Sequence, residues 1–81
     1  MFEIPKFSSS EEAAAFGKRI AHENDAAGVM EQLIVKSFEM REQSGMCRIH
    51  GNFQGMIEAS TQAGLLREAF DTAKREALGE R

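Results

Sequence analysis

Between Met56 and Ala77 an apolar side chain recurs every third or fourth residue: Met56, Ala59, Ala63, Leu66, Phe70, Ala73 and Ala77. That spacing lines all seven along one stripe of an α-helix and makes an a/d seam about three heptads long. A strand would instead alternate apolar and polar residues with a period of two. Leu65 and Ala69 form a shoulder beside the stripe. Asn52 is a good N-cap and Gly79 suits the position just past a helix end, so the pattern predicts a helix over residues 53–78. At 1.5 Å per residue such a helix is roughly 39 Å long. An isolated helix is marginal in water, so one of this length needs a long apolar surface to lie against.

Residues 26–44 supply such a surface. On a helical wheel Ala26, Ala27, Val29, Met30, Leu33, Ile34, Phe38 and Met40 fill an arc of about 180°, where a surface helix needs only a little over 100°. The width predicts a helix that meets neighbours on two sides and is the most buried element of the fold. Upstream, Ser8 with Glu11, or Ser9 with Glu12, fits a capping box that opens a helix over residues 9–24. Ala13, Phe16, Gly17 and Ile20 share one side of it and are expected to cover part of the 26–44 face. Asn24 and Asp25 can cap a new helix, while Gly28 weakens a helix without breaking it. Residues 9–44 therefore read as one bent helix or as two, with the break near 24–26.

Residues 1–8 form an extended apolar segment, because Pro5 drives Ile4 out of the helical region. Phe2, Ile4 and Phe7 are expected to pack across the end of the bundle. The remainder, residues 9–81, is a single helical domain. A chain of 81 residues buries only about 60–65% of the surface it exposes when unfolded. Its one cysteine cannot form an internal disulfide, and a lone thiol suits a reducing compartment. With no apolar run of about 18–20 residues and no basic, apolar leader, the expectation is a cytoplasmic protein that does not enter membranes. The net charge is −3, and basic and acidic residues interleave without a block. A nucleic-acid binder shows a concentrated basic stripe, so that class of partner is disfavoured.

The stretch MCRIHGNFQG, Met46 to Gly55, collects the residues most suggestive of chemistry. Cys47 and His50 are spaced to share a zinc ion, but structural zinc takes four ligands and no second pair exists. His22 stands alone on the polar side of its helix, and neither histidine follows a Glu by three residues as di-iron bundles require. A nucleophilic role for Cys47 needs a third group to orient its base, and none is evident. Gly51 to Gly55 follows no strand and lacks the Lys-Ser/Thr of a phosphate loop. The plainer reading is a helix corner: Gly51 supplies a positive φ, Asn52 caps the next helix, and Phe53 folds back on the preceding apolar side. Met30, Met40, Met46 and Met56 sit at helical spacing and read as adaptable core filler.

Gly51-Asn52-Phe53, followed by Met56, Ile57 and Ala63, resembles the turn and second helix of a tetratricopeptide repeat over residues 51–63. Met56 replaces the small Ala usual in that repeat, and Ser60 replaces an aromatic residue. No second copy is present. The resemblance implies an antiparallel helix pair and at most peptide binding; it does not assign the chain to the family.

The sequence thus predicts an all-α fold, an antiparallel hairpin or three-helix bundle with helices near 9–24, 26–44 and 53–78, completed by self-association. No catalytic, cofactor or metal set emerges. The functional expectation is a non-enzymatic protein-interaction module, such as an adaptor, small chaperone or regulatory subunit. Its partner is a second copy or another protein, met through Met30, Ile34, Phe38, Leu65 and Leu66. The competing expectation is a metal- or redox-responsive regulator built on Cys47 and His50.

Overall fold

Three helices follow one another along the chain: α1 (Ser10–Ile20), α2 (Ala26–Ile49) and α3 (Phe53–Ala77). The computed structural model describes residues 4–79, so Phe2 of the apolar N-terminal segment lies outside the described residues. The Ser9 hydroxyl caps α1 by accepting from the Glu12 amide at 3.2 Å. Glu11 and Glu12 in the first turn and Lys18 and Arg19 in the last complement the helix dipole. α1 stops at Ile20, short of the predicted residue 24, where its buried face runs out: His22 to Asp25 are all exposed.

α2 runs five residues past the predicted end. Gly45 keeps a negative φ and lies within the helix. A glycine there costs about 1 kcal/mol, which the continuing seam offsets. That seam is Val29, Leu33, Ser37, Met40, Ser44 and Cys47, buried or half-buried at spacings of three and four. Two of its positions are serines, and both are hydrogen-bonded. Ser37 donates to the Ile34 carbonyl at 2.7 Å, and Ser44 donates to the Met56 carbonyl at 3.1 Å. α3 begins where expected: the Gly55 amide donates to Asn52 Oδ1 at 3.0 Å. It gives way to Gly79 at φ 71°.

Two expectations about packing need correction. α2 is not the most buried element: α3, of nearly equal length, buries Ala59, Ala63, Leu66, Ala69, Thr72 and Ala73, while α2 buries only one side of its wide apolar arc. The reason is that α1 lies mainly along α3 and meets α2 only through the shared core. α2 and α3 form an antiparallel hairpin, and α1 lies on another flank of α3, running in the same direction. Ser10 bonds Glu68, Gly17 abuts Ala69, Thr72 and Ala73, and His22 meets Glu76 at 3.4 Å. Alanines on α3 admit both neighbours.

The N-terminal segment crosses the middle of α3 and does not close the bundle end. Gln62 grips the Phe7 backbone: it accepts from the Phe7 amide at 3.2 Å and donates to the Phe7 carbonyl at 2.6 Å. The buried Phe7 ring stands edge-on to Phe16 with centroids 5.2 Å apart. These rings join Ala13, Ile20, Val29, Leu33, Leu66, Ala69 and Ala73 in one core. With 11 residues against 24 and 25, α1 covers only the half of the hairpin farther from the α2–α3 turn. The molecule measures 42 × 23 × 17 Å, and its radius of gyration is 13.3 Å. A compact domain of this length has about 11.7 Å.

Candidate functional site

The α2–α3 corner is built as the sequence implies in its backbone. Gly51 takes φ 75°, and the Asn52 amide donates to the Cys47 carbonyl at 2.8 Å. The aromatic ring differs. Phe53 is 63% exposed and Ile49 is 75% exposed, so Phe53 does not fold back onto α2. Cys47 is half-buried and faces Gly55 across the hairpin, where a Cβ would approach its sulfur to 3.0 Å. His50 is exposed at the corner, whereas His22 lies near the opposite end of α3 beside Glu76. Among the described residues no group of three or more His, Cys, Asp or Glu side chains is placed to hold a metal ion. The Cys47–His50 pair therefore acquires no third ligand from the fold.

Beyond the reach of α1, the hairpin leaves a cleft of about 490 Å³ between α2 and α3. Met40, Ala59 and Leu66 line its apolar part, Ile4 and Lys6 border it, and Cys47 and Gly55 also line it. The exposed Lys36, Gln43 and Glu58 line it as well. Lys36 is engaged with Glu39 at 3.7 Å on its own helix.

The outward side of α2 is more distinctive. Val35, Phe38, Met46 and Ile49 are all about half or more exposed. At 100° per residue, each points within about 40° of the direction opposite Leu33, the centre of the buried seam. These residues are spaced by three, eight and three positions, with Glu42 between Phe38 and Met46. The row ends at the corner, where exposed Phe53 and Ile57 open α3. Apolar side chains grouped on one exposed face mark interaction sites far more often than scattered ones do.

The five residues expected to bind a partner are dispersed by the fold. Leu66 is buried, Met30 and Leu65 pack partly buried against the core, and Ile34 is half-buried. Phe38 alone of the five is exposed, and its neighbours on that face are Val35, Met46 and Ile49. Sequence reasoning counted Phe38 into the wide arc and missed the second stripe. The signal was present in the 35–38 and 46–49 spacings on the far side of the wheel. No family model, curated protein or solved structure matches this chain. Among the described residues, no helix is long and apolar enough to cross a membrane.

Proposed function

We propose that this chain is a non-enzymatic helical interaction module whose first partner is a second copy of itself. The observation that carries the reading is the outward stripe of Val35, Phe38, Met46 and Ile49 on a helix whose opposite side is already packed. With Trp and Tyr absent, Phe38 and Phe53 are the exposed aromatic anchors among the described residues. The interleaved charges favour a protein partner over nucleic acid, and the lone thiol suits a reducing compartment such as the cytoplasm.

Light scattering over a range of concentrations tests this. The expected mass rises toward twice the 9.0 kDa chain mass. Phe38→Glu and Ile49→Glu hold it at one chain with unchanged helicity. One-chain mass for the parent at every concentration would overturn the reading.

A further inference from the structure

The α2–α3 hairpin has two long sides. One carries α1, the N-terminal segment and the cleft, which Gln43 of α2 and Gln62 of α3 both line. At 100° per residue, Arg41, Gly45 and Arg48 point about 140–160° away from Gln43. On α3, Phe53, Ile57, Gly64 and Arg67 point about 140–180° away from Gln62. These two sets therefore wall a groove on the other side of the hairpin. Its floor is the Ser44–Ser60 contact at 2.9 Å. All seven wall residues are exposed.

Two of them are glycines with no use inside the chain. Gly45 and Gly64 have negative φ, and a Cβ at either would meet nothing within 4 Å. Each weakens its helix without easing any contact of the single chain. What a missing Cβ does provide is room for another backbone to come close.

The charges around them have one sign. Arg41 and Arg48 are one heptad apart, about 10 Å along α2, and neither has an ion pair among the described residues. Across the groove, Arg67 pairs with Asp71 of its own helix. The acids of α2 nearest the groove, Glu31 and Glu42, point outward with the Val35–Ile49 stripe. A chain of net charge −3 thus keeps a cationic groove beside exposed Phe53 and Ile57.

We propose that this groove receives an amphipathic helix of another protein, one that carries acidic residues seven positions apart. Its apolar residues cover Phe53 and Ile57, its backbone passes over Gly45 and Gly64, and its carboxylates meet Arg41 and Arg48. The hairpin then has a helix on each side, as a four-helix bundle does. A second copy does not fit here, because two-fold contact through this groove sets the arginines of one chain against those of the other. A phosphate backbone offers nothing to the apolar wall. The inference goes beyond the self-association reading and does not rest on it; the two surfaces border each other at Phe38 and Ile49.

The test titrates the full chain into a fluorescent, designed helical peptide of about three heptads, with leucines along its seam and glutamates seven residues apart. A twin peptide has lysines in place of the glutamates. Anisotropy should show saturable binding of the glutamate peptide and at least about tenfold weaker binding of the lysine peptide. Arg41→Glu with Arg48→Glu should reverse that preference, a result that loss of structure cannot produce. Gly64→Leu, which fills the groove from an exposed position, should weaken binding at least about tenfold with the circular dichroism spectrum unchanged. No binding of the glutamate peptide, no preference between the twins, or no reversal in the double variant overturns the proposal. So does equally tight binding of polyglutamate or duplex DNA, which would make the groove a general attractor of polyanions.

Discussion

Ser44 and Ser60 meet hydroxyl to hydroxyl at 2.9 Å across the α2–α3 hairpin, and Ser44 also donates to the Met56 carbonyl. This polar rung in the seam ties two helices. Ser37, two turns away along α2, bonds only to the Ile34 carbonyl of its own helix. The two serines therefore answer differently to truncation. Ser44→Ala removes interhelical bonds and should cost about 1 kcal/mol. Ser37→Ala removes only a local bond that competes with the helix, gains helix propensity, and should be neutral or stabilising by up to about 0.5 kcal/mol. Urea titrations monitored by circular dichroism distinguish them; equal losses would contradict the assignment.

The glycines separate in the same way. A Cβ at Gly17 would come within 2.9 Å of Thr72 Cβ and 3.1 Å of the Ala73 nitrogen, so α1 lies against α3 only because no side chain intervenes. Gly17→Val should destabilise by about 3 kcal/mol through overpacking of that contact. Gly45 and Gly64 have negative φ, sit within helices and would meet nothing within 4 Å. Gly45→Ala and Gly64→Ala should each stabilise by up to about 1 kcal/mol. Thermal melts at fixed concentration give the sign of each change.

At the corner, Gly51 and Asn52 act in series. Gly51→Ala forces an L-residue into a left-handed backbone and should cost about 1–2 kcal/mol. Asn52→Ala leaves the Gly55 amide without its side-chain acceptor and should cost about 1 kcal/mol. Because the residues adjoin, the double variant should fall short of the sum. Chemical denaturation of the three variants checks both magnitudes and the coupling.

The all-α class, the corner and the α3 seam were legible because each has a local cause. The three–four repeat from Met56 to Ala77 reports a period, Gly51 a φ angle and Asn52 a cap. What escaped was set by pairing between helices. Whether Phe16 and Ile20 cover α2 or α3 depends on which surface offers small residues at the right height, and Ala69 and Ala73 opposite Gly17 decide it. Ser37 and Ser44 read as polar until Leu33 and Met40 place them on the same line. The wide arc of α2 suggested deep burial on two sides, yet α1 docks elsewhere and leaves Phe38 in water. Of the expected partner-binding set, Leu66 entered the core because the α3 seam packs, which its own heptad position had announced.

The division between core and outward stripe gives the last prediction. Leu66 is 3% exposed between the helices, so Leu66→Ala should lower stability by about 2–5 kcal/mol at any protein concentration. Val35, Phe38 and Ile49 contribute little to the fold of one chain, since so much of each is already in water. In the proposed dimer their loss acts through association alone. The parent's Tm should then rise with protein concentration, as mass action requires of any state stabilised by binding. Phe38→Ser and Ile49→Ser should match the parent Tm at the lowest concentration and fall progressively behind it as concentration increases. Differential scanning calorimetry over a hundredfold range reads this directly. A parent Tm independent of concentration, or a deficit in the serine variants equally large when dilute, would place these side chains in the service of the single chain.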